Sequence, residues 1–135
     1  MLKLELPYPP SINHYFRYFR GRTVISPAGR AFRRRVCWLL KTQKVKPLAG
    51  HVRVSVDLYP PDHRRRDVDN AQKALLDALQ HGGAVFDDSQ IVWLLTKKAR
   101  IVPGGKTVVH LWCVDEPGPA ICPCCGKAGG GAGVN

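Results

Sequence analysis

The sequence predicts a single α+β domain, a mixed β-sheet with helices packed on it, in the order β-α-β-α-β-β. Three observations carry that expectation. Apolar and polar residues alternate strictly in short stretches near the start and middle of the chain, as half-buried strands require. Two other segments repeat their apolar residues at helical spacing. The chain has 135 residues, 44% of them hydrophobic, which is enough for one core and too little for two.

The first strand is Leu2 to Leu6, where leucines alternate with Lys3 and Glu5, and Pro7-Tyr8-Pro9-Pro10 ends it. Ser11 to Thr23 reads as a loop carrying His14, Tyr15, Phe16, Arg17, Tyr18, Phe19, Arg20 and Arg22. Aromatics interleaved with arginines suit base stacking and phosphate contact, and they suit equally a loop that covers the core. Ser26-Pro27 is a helix start, a capping hydroxyl followed by a proline whose missing N–H costs nothing at the first helical position. Ala28, Phe32, Val36, Leu39 and Leu40 then form an apolar stripe, and Arg30, Arg33, Arg34, Lys41 and Lys44 a basic face. This helix ends before Pro47 and Gly50.

Val52, Val54, Val56 and Leu58 make the clearest strand, stopped by Pro60-Pro61. A second helix runs from Asp69 to His81, with Ala71, Ala74, Leu75, Ala78 and Leu79 on one face and Gly82-Gly83 at its end. Apolar runs at Ser89 to Thr96 and Lys106 to Val114 are the last two strands, and the turn residues Pro103-Gly104-Gly105 between them suggest a hairpin. Residues 1–115 are thus the expected domain. From 116 to 135 the composition shifts to Gly, Pro, Ala and Cys, and a flexible tail is expected.

Charge is the most informative bulk property: 21 Lys+Arg against 10 Asp+Glu leave a net +11. Such an excess points to a polyanion, because cations that neutralise phosphates release condensed counterions. Nucleic acid fits better than a membrane surface, since no basic amphipathic helix with large aromatic anchors is evident. Residues 1–30 lack the pattern of a signal peptide and no window is apolar enough for a membrane span, so a soluble intracellular protein is expected. Five cysteines, an odd number with three of them crowded at the C-terminus, fit a reducing compartment rather than a disulfide framework.

Against this basic background, Asp67, Asp69, Asp77, Asp87 and Asp88 cluster beside the run His63-Arg64-Arg65-Arg66. Acids concentrated where a polyanion binds repel it, unless a cation lies between. Mg²⁺ resolves the conflict, because it takes carboxylate oxygens, keeps several waters and shares its remaining positions with substrate phosphate. Asp67 and Asp69 are two residues apart before a helix, so their side chains can point the same way. Lys73 lies four residues after Asp69, on the same helical face. Simpler readings stand beside these: a helix cap for Asp67 or Asp69, an i,i+4 ion pair for Lys73, and a turn for Asp87-Asp88. Asp77, two turns beyond Asp69, reads as structural.

Taken together, three segments resemble the RusA-type Holliday junction resolvases. They are Pro7-Tyr8-Pro9-Pro10-Ser11-Ile12-Asn13 with Tyr15 and Arg17, then Arg64-Arg65-Arg66-Asp67-Val68-Asp69-Asn70-Ala71-Gln72-Lys73, and Phe86-Asp87-Asp88-Ser89-Gln90-Ile91. The resemblance implies a small homodimeric endonuclease that uses Mg²⁺, with Mn²⁺ as a substitute, to cut four-way DNA junctions by paired symmetric nicks. It implies that Asp67, Asp69 and Asp88 bind the metal and that Lys73 assists catalysis. Arg17, Arg20, Arg22, Arg64, Arg65, Arg66 and Asn70 become candidate DNA contacts, and the setting a bacterial or phage-infected cytoplasm. The alternatives are a metal-dependent nuclease for flaps or other branched nucleic acids, and a non-catalytic nucleic-acid binder. The tail departs from the family pattern. Cys122 and Cys125 have the spacing of half a zinc ribbon, which Cys113 or a second chain would have to complete for a structural Zn²⁺.

Overall fold

The computed structural model describes residues 1–114. The expected flexible tail and its zinc candidates Cys122 and Cys125 lie outside them. The strands are β1 (Leu2–Leu6), β2 (Phe16–Phe19), β3 (Arg22–Ile25), β4 (His51–Tyr59), β5 (Ile91–Lys98) and β6 (Lys106–Val114). The helices are α1 (Ile12–Tyr15), α2 (Pro27–Thr42) and α3 (Gln72–His81), with 3-10 turns at Val68–Ala71 and Asp88–Gln90.

β1, β6, β4 and β5 form one mixed sheet in that order, with β6 antiparallel to β1 and β4, and β5 parallel to β4. The α+β architecture is the expected one. Two local expectations change. The segment read as a loop folds into α1 and a separate two-stranded ribbon, β2–β3. The last two strands make no hairpin; they flank β4 on opposite sides. After β5 the chain crosses the end of β4, where the Ala99 N–H donates to the Leu58 carbonyl at 2.7 Å and the Val102 N–H to the Pro60 carbonyl at 2.9 Å. Alternation identifies a strand but says nothing of its neighbour, and the β4–α3–β5 crossover decides that β5 runs parallel.

One face of the sheet and the helices enclose the core. Leu4, Leu6, Val52, Val54, Val56, Leu58, Val109 and Leu111 meet Phe32, Val36 and Leu40 of α2 and Ala74, Leu75, Ala78 and Leu79 of α3. On the opposite face the Arg53 guanidinium lies between the rings of Trp93 and Trp112, 5.2 and 4.8 Å from their centroids. Ser26 caps α2 as expected, accepting from the Gly29 N–H at 3.0 Å, and Pro27 is the first helical residue.

A polar cluster clamps α1, α2 and α3 together. The buried Tyr15 donates its hydroxyl to Asp77, and Arg33 reaches the same carboxylate oxygen through Nε at 2.8 Å and Nη2 at 2.5 Å. Burial, and then the bond to Asp77, push the Tyr15 hydroxyl up to about 12. Burial works against the Asp77 carboxylate, but the Tyr15 and Arg33 hydrogen bonds outweigh it and hold Asp77 below its ordinary range. Asp77 is structural, and Lys73 is its second, more distant cation.

Candidate active site

β4 delivers the chain into Pro60–Arg66, a segment whose shape is set by Asp62. That carboxylate accepts the Arg64 backbone N–H at 2.9 Å and the Arg66 guanidinium at 2.7 Å. The Arg66 bond is the main reason its carboxyl is lowered to about 2, so Asp62 stays ionised. Arg66 also lies over the Tyr8 ring, and its carbonyl accepts from the Lys98 ammonium at 2.6 Å. The proline-rich segment and the arginine run are thereby locked against each other. Arg66 is engaged within the fold, whereas Arg64 is 83% exposed and Arg65 is also open to solvent.

Asp67 follows in extended backbone at φ −88° and ψ 142°, as the first residue before the 3-10 turn. Its side chain makes no capping bond, and Asp69 stands in the first turn. The sequence left a capping role open for either residue. Both carboxylates are instead exposed, and no ion pair among the described residues involves them. Lys73 is exposed on α3 and likewise forms no ion pair there. Gln72 donates to the Thr96 hydroxyl at 2.9 Å and fixes the start of α3 against β5.

Asp67, Asn70, Arg64, Arg65, Tyr8 and His14 line a cleft of about 400 Å³. One wall is prolines and α1, and the other is the arginine loop. Asp67 on the cleft wall and Asp69 in the adjoining turn are exposed hard-oxygen donors at the start of α3, and the exposed Arg64, 3.8 Å from Asp62, and Arg65 give them a positive surrounding. Such a donor set suits Mg²⁺ or Mn²⁺ and a phosphate together.

The pair Asp87-Asp88 separates cleanly. Asp87 forms a capping box with Gln90: the Asp87 N–H donates to Gln90 Oε1 at 3.0 Å and the Gln90 N–H to the Asp87 side chain, which also accepts from the Ser89 hydroxyl. The Ser89 bond lowers its pKa. The Gln90 amide in turn donates to the Leu48 and Gly50 carbonyls, each at 2.8 Å, so this turn is pinned to the body. Asp88 is exposed; its backbone N–H donates to Gln80 Oε1 at 3.2 Å, its carbonyl accepts the Ile91 N–H, and no ion pair among the described residues involves its carboxylate.

Gln80 lies near the far end of α3. The ten-residue α3, about 15 Å long, lies between Gln80 with its partner Asp88 and the helix start that Asp67 and Asp69 precede. No three His, Cys, Asp or Glu side chains gather as a metal cluster among the described residues. One protomer therefore puts Asp67 on the cleft, Asp69 in the turn beside it, and Asp88 at the other end of α3. Of the other DNA-contact candidates, Asn70 lines the cleft, while Arg17, Arg20 and Arg22 sit on the β2–β3 ribbon. Sequence reasoning missed Asp62 as the organiser of the arginine loop. Its signal was an acid two residues before Arg64 and four before Arg66, with prolines preceding it.

Comparison with known proteins identifies the family. Residues 7–110 match the family described as Endodeoxyribonuclease RusA. The crossover junction endodeoxyribonuclease RusA of Escherichia coli K12 is 41% identical over 104 residues, covering 76% of this chain and 87% of that protein. Those of Shigella sonnei and Enterobacteria phage 82 are each 42% identical over the same length and coverage. With its arginine-lined cleft and paired aspartates, the chain belongs to the RusA family of endodeoxyribonucleases.

Proposed function

We propose that this chain resolves four-way DNA junctions as a homodimer, hydrolysing one phosphodiester in each of two strands with Mg²⁺, or Mn²⁺ in its place. The observation that carries the reading is the unengaged carboxylate of Asp67 on the wall of an arginine-lined cleft, with the exposed Asp69 in the adjoining 3-10 turn, in a RusA-family endodeoxyribonuclease. RusA enzymes depend on a divalent metal, and these residues have the right donors to hold it. A cation bound there supplies positive charge to phosphoryl oxygens and makes water more acidic. Lys73 and the open N–H groups at the helix start present further positive charge to the phosphate, while Arg64 and Arg65 hold the flanking backbone. Asn70, on the cleft wall, is placed to orient the strand.

The position of Asp88 supports the homodimer. β5 is an edge strand whose outer side has no partner among the described residues. Asp88 opens the 3-10 turn that leads into β5, and Lys98 at the other end of β5 is bonded to the Arg66 carbonyl beside Asp67. Antiparallel pairing of two β5 strands about a two-fold axis would carry each Asp88 toward the partner subunit's Asp67 and Asp69. Val92, Trp93 and Leu95 on this strand are 37, 45 and 44% exposed, a surface that such pairing would cover in part. Two complete sites then arise together, as two symmetric nicks require.

The experiment is a nicking assay on four-way junction, flap and linear duplex, with Mg²⁺, with Mn²⁺ and with EDTA. Paired nicks confined to the junction and abolished by EDTA are expected. Equal cutting of the flap would turn the reading toward a general branched-DNA nuclease. We place the protein in the cytoplasm of a bacterium or phage-infected cell, in line with its relatives. No helix among the described residues is long and apolar enough to cross a membrane. A structural Zn²⁺ at Cys122 and Cys125 is the second metal proposal, and elemental analysis of protein purified without chelators tests it.

A further inference from the structure

The stretch from 6 to 56 contains no carboxylate at all, and the β2–β3 ribbon lies within it. The ribbon is its own two-stranded sheet. Its turn is Arg20-Gly21, with φ of 49° and 76°, the mirror-image tight turn that matches the twist of paired strands. Its base is firmly held. The Ser26 N–H donates to the Tyr15 carbonyl at 2.8 Å, and Tyr15 is buried and bonded to Asp77. At Gly29 any Cβ would stand 2.7 Å from the Tyr15 carbonyl oxygen and 2.8 Å from Ile25 Cγ2, so α2 and the ribbon base approach as closely as backbone allows. α1, which leads directly into the ribbon, packs against α3 and the turn carrying Asp69.

On this anchored base the tip is aromatic and open. Tyr18 is 77% exposed and Phe19 47%. The Arg17 and Arg20 guanidiniums lie 5.3 and 5.2 Å from the Phe19 centroid, and Arg22 faces Phe19 across the strands. Water-exposed rings at the end of a ribbon do nothing for the core. Arginine around them selects a partner that offers both negative charge and a flat π surface, which is a nucleic acid. In continuous duplex each base face is covered by its neighbour. A face becomes available where strands part, as at a branch point.

We propose that the β2–β3 ribbon is a branch-sensing wedge: Tyr18 stacks on the base exposed at the strand exchange, with Arg17, Arg20 and Arg22 on the adjoining phosphates. This rests on the junction-cleaving reading and adds to it the residue that tells branched from linear DNA. A four-residue strand spans about 13 Å, so the sensed base lies a few nucleotides from the phosphate held in the cleft.

The test measures binding of four-way junction and of linear duplex by wild type, Tyr18→Ala and Tyr18→Phe, together with 2-aminopurine fluorescence from a junction labelled beside the branch. Tyr18→Ala should lose about tenfold to a hundredfold in junction affinity with duplex affinity unchanged, and Tyr18→Phe should keep the wild-type ratio. Wild-type protein should change the 2-aminopurine signal, and Tyr18→Ala should change it less. An unaltered junction-to-duplex ratio in Tyr18→Ala overturns the wedge, as does a 2-aminopurine signal that wild-type binding leaves unmoved. Both readouts are taken without cleavage. A wild type that binds junctions with the wedge signature but never nicks them in Mg²⁺ refutes the cleavage reading alone.

Discussion

The two ends of α3 carry the same residue pair in different states. At the N-terminal end Asp67 and Asp69 are both exposed and in no ion pair among the described residues, and Asp67 lines an arginine-lined cleft. At the C-terminal end Asp87 is held by Ser89 and Gln90, and Asp88 alone is left over. The comparison teaches that acid clustering in a basic protein has two physical origins. Asp62, Asp77 and Asp87 each have named partners and hold loops or helices in place. Asp67, Asp69 and Asp88 are in no ion pair among the described residues, which under the proposed function leaves them for a cation that joins the complex with the polyanion.

The most severe way to break the comparison is to disable one acid at each end in separate chains. Asp67→Asn or Asp88→Asn alone should lower junction nicking by on the order of a thousandfold or more, with junction binding retained, since amides are poor metal ligands. Mixed and re-associated, the two inactive variants should recover single nicks, because one site of each heterodimer then combines an intact Asp67 and an intact Asp88 from different subunits. If the mixture stays as inactive as its components, the shared site is wrong and each protomer works alone.

A smaller effect separates the structural acids from the idle ones. Asp77→Ala should destabilise the protein by roughly 2 kcal/mol, because it leaves Arg33 and Tyr15 without their partner between three helices. Denaturant melts measure it. Asp77 is lowered in the folded state, so its contribution is complete above the ordinary carboxylate range and fades as pH falls through the folded value. Tyr15 behaves oppositely: raised to about 12, its contribution is complete below the ordinary value of 10.0 and lost between there and about 12. A melting profile of Asp77→Ala parallel to wild type at both pH extremes would contradict this account.

The smallest expected effect falls on the residue next to the site. Asp87→Ala should lower the melting temperature less than Asp77→Ala and leave junction nicking near the wild-type rate, since Asp87 closes an exposed turn. Loss of nicking as complete as for Asp88→Asn would move Asp87 into the metal site.

The sequence by itself determined the α+β class, the strands that alternate, the Ser26-Pro27 helix start and the cation-rich surface, because these follow from local periodicity, local capping and a sum of charges. Its motif spacing also identified the family. Pairing lay beyond it. That β5 joins β4 in parallel and that β5 and β6 sit on opposite sides depend on which long-range contacts form, and no local pattern encodes that. The ribbon was hidden because its aromatics do not alternate with the core, since only its base touches the body. The sorting of acids was decided by tertiary structure too. Asp87 and Asp88 are neighbours with identical chemistry, and only the placement of Ser89, Gln90 and Gln80 around them engages one carboxylate and leaves the other free.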